Sequence, residues 1–179
     1  MASELRVDKI HNEGGDNDSG LDMSTNDVVA VKIAGSEKAR VHSDGKVGIG
    51  EISPQGILHI KSADAGTTAD GGADELVVEG SGNSGITIAS GASSSGSLYF
   101  ADSGSAYAGW INYSHSSNTL NLATDGGTRI TINSGGVTQV NANSAAYALQ
   151  VTNDGDNANR MGIQITCGAD NGAGTNYLM

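Results

Sequence analysis

The feature that most restricts this chain is a period of two. Between Gly96 and Val140 the apolar residues fall into five short runs: Leu98/Phe100, Trp110/Ile111/Tyr113, Leu120/Leu122, Ile130/Ile132 and Val137/Val140. Such alternation puts the apolar side chains of an extended segment on one face, the mark of a half-buried β-strand. The segments between the runs are Asp102 to Ser105, Ser114 to Asn118, Asp125 to Gly127 and Asn133 to Gly136. They hold residues that tolerate positive φ or cap their own backbone, as tight reversals require. The spacing predicts an antiparallel meander of five strands. Nowhere do apolar residues recur at i, i+3, i+4 and i+7, and glycine occupies 27 of 179 positions. The expectation is an all-β chain of short antiparallel strands and small β-modules, with no helix longer than about two turns.

These strands have little to bury. Leu, Ile, Val and Phe together number 34, about 19% of the chain, against a net charge of −11. That balance is usual for disordered sequences. Regular strands and a poor core are compatible if each chain shares a core with copies of itself, because small modules otherwise need a staple. Cys167 is the sole cysteine, so no intrachain disulfide can serve; two residues beyond Ile165, it reads as a small buried hydrophobe. The expectation is an obligate homo-oligomer. All nine basic residues lie outside 62–128, and an acidic chain without a basic patch argues against nucleic acid as a partner. No apolar run is long enough to span a bilayer. Met1-Ala2-Ser3-Glu4 has neither the basic nor the apolar region of a secretory signal.

Five segments follow from the patterning. Residues 1–36 hold one short strand, Leu5/Val7/Ile10, a polar stretch from His11 to Gly20, and a second apolar run, Val28 to Ile33. With no local core, this segment is expected to dock by strand addition onto another protein and to order only there. Residues 37–61 pair Lys38–His42 with Val47–Ile49 across Ser43-Asp44-Gly45, and Pro54 ends that unit before the strand 57–61. Gly48 and Gly50 alternate with Val47 and Ile49, leaving one strand face bare, and glycine in a strand favours close approach of another backbone. Three copies around an axis would supply it, which predicts a homotrimer with Val47, Gly48, Ile49, Ile130 and Ile132 at the axis. Residues 62–74 are a small-residue linker. Residues 75–140 form the meander module, opening with strands Leu76–Glu79 and Ile86–Ile88 around Gly80 to Asn83.

Residues 141–179 are a second, incomplete copy of the module. Leu76-Val77-Val78 and Gly85 to Ile88 align with Leu149-Gln150-Val151 and Gly162 to Ile165, and Gly96 to Tyr99 aligns with Gly174 to Tyr177. Lys38 to Ser43 likewise aligns with Arg129 to Ser134. The second copy stops where the first enters its meander, so a native chain continuing past Met179 is expected.

The candidate chemistry is thin. His11, His42, His59 and His115 lack the paired spacing of a zinc site. Ser114-His115-Ser116 lacks a nucleophile elbow. Asp16 to Gly20 misses the calcium-loop spacing, and it and Asp154-Gly155-Asp156 read as solvated acidic loops. A depolymerase needs two carboxylates about 5–10 Å apart, and residues 84–124 contain only Asp102. Neither an enzyme nor a cofactor is expected. Trp110 and Tyr113 are candidates for stacking on a sugar ring, or for filling a shared core.

Several of these segments carry a resemblance. Tyr99 to Gly104, Gly109 to Thr124 and Thr128 to Ile132, with Arg40 to Gly50, Ser53-Pro54 and Leu58-His59-Ile60, resemble the repeated modules of tailed-bacteriophage fibres, common in marine and cyanobacterial phages. The likeness touches most of residues 37–179. It implies an elongated homotrimeric fibre located in the virion and assembled in the host cytoplasm, with no catalytic role. It implies that Leu5, Val7 and Ile10 dock to a phage tail or adaptor protein, and that host-surface polysaccharide is a further partner. A glycan-binding adhesin module or a capsid-decorating fibre is the alternative.

Overall fold

The structure, a computed structural model, describes residues 6–12, 18–142 and 149. Among them are twelve strands and no helix. The chain divides into two compact units, Met1–Thr87 and Ile88–Met179, each built on one sheet.

The first sheet holds β1 (Lys9–His11), β2 (Gly20–Asp22), β3 (Val29–Ile33), β4 (Ser36–Val41), β5 (Val47–Ile49), β6 (Leu58–Lys61) and β7 (Leu76–Glu79), in chain order. The β3–β4 reversal uses Ala34 and Gly35, both at positive φ, the two-residue geometry that matches strand twist. Two features depart from the sequence reading. The strand in residues 1–36 finds a partner in its own chain, because Ile10 pairs with Leu21 and β2 with β3. Residues 1–36 therefore begin the sheet that 37–61 continues. Second, β5, β6 and β7 pair in parallel, not antiparallel. Parallel neighbours require crossover connections, here 50–57 and 62–75.

Register sorts this sheet into two unlike faces. On one, the partners Val29, Val41, Val47, Leu58 and Leu76 form an apolar row across five strands. A second row, Ile10, Leu21, Val31, Ala39, Ile49, Ile60 and Val78, crosses all seven. The opposite face carries Lys9, Asp22, Ala30, Arg40, Gly48, His59 and Val77 in one row.

The second sheet is the five-stranded meander: β8 (Ser95–Phe100), β9 (Gly109–Ser114), β10 (Thr119–Thr124), β11 (Gly127–Ile132) and β12 (Thr138–Val140), all antiparallel. The first four alternating runs each fall on one strand, and of the fifth Val140 lies on β12 while Val137 precedes it. Asp125 and Gly126, at φ 52° and 65°, make the β10–β11 reversal. Here too the faces separate. Leu98, Ile111, Leu122, Ile130 and Val140 are register partners in one row, and Ser97, Asn112, Asn121, Thr131 and Gln139 in the next. The expected strand Ile86–Ile88 is not paired. Beyond Gly80 the chain leaves the sheet and does not return along the free edge of β7.

Candidate functional site

The two apolar faces are the most conspicuous surfaces of the molecule. Among the described residues the buried apolar side chains are Val28, Ala30, Pro54 and Ala123, while Val41, Ile49, Leu76, Leu98 and Phe100 are each about half exposed. Burying a Leu, Ile or Val completely contributes about 1.5–3 kcal/mol, so covering one half-exposed row of five is worth on the order of 5 kcal/mol. That is comparable with the whole stability of an ordinary domain. Soluble monomers rarely leave contiguous apolar surface of this kind open.

Four of the five residues expected at a threefold axis lie on these faces: Val47 and Ile49 in the first unit, Ile130 and Ile132 in the second. Gly48 does not. It points to the opposite, polar face, where a Cβ would stand 2.0 Å from the Glu51 carbonyl oxygen and 3.3 Å from the Pro54 ring. The close approach that glycine permits is made by the chain's own 50–57 connection. Gly50 serves the same crossover, with φ at +74° and the Lys61 carbonyl against its Cα.

Beneath the crossovers lies a network of charges that sequence reasoning missed. His59 is fully buried and its Nε2 is 2.8 Å from Glu79 Oε2. The Gln55 N–H donates to His59 Nδ1 at 3.3 Å, so Nε2 carries the proton and donates to Glu79. Glu79 Oε1 accepts the Ala65 N–H at 2.7 Å. Lys61 Nζ lies 2.7 Å from Glu51 Oε2 and 3.5 Å from Glu79 Oε2. The Lys61 hydrogen bond and the Ser53 N–H hold the Glu51 carboxyl below its ordinary range, and Glu51 in turn raises Lys61. The connections 50–57 and 62–75 thus each send backbone N–H groups onto side chains of β6 and β7.

Glu51, His59 and Glu79 bring donor atoms within 4.8 Å of one another, and imidazole with two carboxylates is a set a divalent metal can use. Each of these nitrogen and oxygen atoms already has a hydrogen-bond or ion-pair partner, however, and the cation among them is the Lys61 ammonium. A metal would have to expel that ammonium and turn the His59 ring's hydrogen bonds. The arrangement is suited to locking the crossovers to the sheet.

At the far end of the first sheet, Asp22 accepts from Lys32 Nζ at 2.6 Å and from the Ser24 N–H at 3.0 Å. These bonds hold its carboxyl far below the usual range. Val7 is exposed and precedes β1, Ile10 lies within β1, and Leu5 falls outside the described residues.

Trp110 and Tyr113 cannot form one stacking platform. Three apart on β9, they point to opposite faces. Trp110 instead meets Tyr99 and Tyr107, with ring centroids 6.5 and 6.3 Å away. Tyr113 donates to Asn118 Oδ1 and sets its ring against the edge of His115. The second calcium-loop candidate, 154–156, and Cys167 lie outside the described residues, as do Asp16 and Asn17 of the first. No protein-family model matches the chain, and no curated protein matches it.

Proposed function

We propose that this chain is a structural subunit of a tailed-phage fibre, assembled as a homotrimer and acting as a non-catalytic link between virion and host surface. The observation that carries the reading is the pair of uncovered apolar faces, one on each sheet. A face with no charged group in its rows is best covered by another face of the same kind, and every copy brings two. The motifs shared with phage fibres support the fibre assignment. The N-terminus as virion-docking segment is consistent with β1 being the outer strand of its sheet, because a free edge can accept or donate a strand. The test is mass under native conditions. A particle of three 18.0 kDa chains is expected; a stable folded monomer would overturn the proposal.

One observation favours a second reading, a glycan-binding module. Tyr99, Tyr107 and Trp110 cluster beside the uncharged row Ser97, Asn112 and Asn121. Trp110 is the only tryptophan, so its emission reports on this patch during titration with neutral oligosaccharides. A saturable change that Tyr99→Ala abolishes would support this reading.

A further inference from the structure

Within the segment joining β7 to β8, residues 84–90 are strand-like in sequence yet pair with no strand among the described residues. Gly85-Ile86-Thr87-Ile88 sets two isoleucines about a threonine, all of them residues that favour strands. Every residue from 81 to 90 is exposed, Ile86 at 67%. None of their backbone groups bonds to another part of the chain among the described residues.

The same chain offers an edge that fits this segment. Among the described residues β8 is an outer strand, paired only with β9. Its six residues, Ser95–Phe100, include no charge and no proline, the usual devices that protect a free edge. The other outer strands differ: β1 carries Lys9 and His11, β7 ends on Glu79, and β12 has three residues. The phase of the β8–β9 ladder follows from the bond between the His115 N–H and the Ser94 carbonyl, 3.0 Å. In an antiparallel pair, bonded positions alternate. Gly96, Leu98 and Phe100 therefore bond to β9, and the backbone groups of Ser95, Ser97 and Tyr99 point away from it.

The segment does not fill its own edge. The Gly91–Ser94 turn, closed by a 2.8 Å bond, turns it back over the sheet, where Ile88 lies against Gly96. We propose that residues 84–90 of one copy add as a strand to the free edge of β8 in a neighbouring copy. The proposal rests on the homo-oligomer inferred above. In that position Ile86 and Ile88 extend the apolar row that begins at Leu98, and the outward amides of Ser97 and Tyr99 gain acceptors.

Hydrogen exchange on the full chain in its native particle tests this directly. In a bare edge strand the Ser97 and Tyr99 amides exchange quickly; in the added sheet they and the Ile86–Ile88 amides are protected by about 100-fold or more. The variant Thr87→Pro removes no backbone bond among the described residues. It is expected to lower the particle's Tm by about 5 °C or more and to strip the protection from Ser97 and Tyr99. An oligomer in which Ser97 and Tyr99 exchange freely, or in which Thr87→Pro changes neither readout, overturns the strand addition and leaves the homo-oligomer standing. A monomeric particle overturns both.

Discussion

The two sheets share one design on one face and differ on the other. Each presents rows of Val, Leu and Ile to solvent. In the first unit the opposite face is roofed by the chain's own crossovers, and the space between is filled by His59, Glu79, Lys61 and Glu51 together with Pro54. In the second unit the polar face has no such charge network among the described residues. Its side chains satisfy each other pairwise, Asn112 donating to Ser97 at 2.7 Å and Thr131 to Asn121 at 3.0 Å. The first unit thus has one closed, charge-locked layer of its own, and the second has no counterpart to it among the described residues. A sheet can hide polar groups and display apolar ones only where the apolar face has another use.

The comparison breaks most visibly at the apolar row of the second unit. Ile130→Asp places a charge among Leu122, Val140 and their neighbours. We expect loss of assembly and of that unit's fold, read as a fall to monomer mass and loss of cooperative melting. An unchanged particle would show that this face stays exposed.

Next in size is the charge lock. Glu79→Ala leaves the buried His59 Nε2–H without its acceptor and Lys61 with Glu51 as its remaining close partner, and an unsatisfied buried donor costs about 1–3 kcal/mol. Amide exchange should rise throughout β5 to β7 while β9 to β11 keep their protection. Equal loosening of both units would dissolve the distinction drawn between them.

Gly48→Val sharpens the same contrast. Its side chain would collide with the Glu51 carbonyl, and overpacking of this kind costs about 1–3 kcal/mol. The damage should appear as looser 50–57 amides within each chain, with the oligomer mass retained.

The smallest effect is expected from pH. Asp22 and Glu51 have folded-state pKa values below their ordinary 3.8 and 4.5. Their contribution is fully present above those ordinary values and is lost as pH falls through the lower folded ones. Lys61 is raised above 10.5, so its contribution is present below that value and lost as pH climbs through the higher one. The first unit should therefore melt at lower temperature below about pH 4, and Lys61→Met should flatten that acid limb. A limb that appears equally in β8–β12 exchange would place its origin elsewhere.

Much of the second unit is legible in the amino-acid sequence. Five alternating runs become β8 to β12 because the period of two and the φ preferences of Asp-Gly and Asn-Ser-Gly-Gly are local properties. The same reasoning fails at Ile86–Ile88, whose pattern is equally good. Alternation says that a segment can pair, and says nothing about whether a partner edge lies within reach. It fails also at Gly48, where alternation assigns a bare strand face to a neighbouring copy and the chain's own Glu51 and Pro54 fill it.

The charge lock shows where local information ends. His59 and Lys61 stand two apart on β6, and Val77 and Glu79 two apart on β7, so the sequence by itself determined that each pair shares a face. It could not determine that the two faces are one. That depends on the parallel register placing His59 beside Val77 and Lys61 beside Glu79, and on crossovers that carry Gln55 and Ala65 over the top. Register is a long-range choice, made by the sum of contacts along two strands. A histidine and a glutamate twenty residues apart carry no mark of it until the strands are paired.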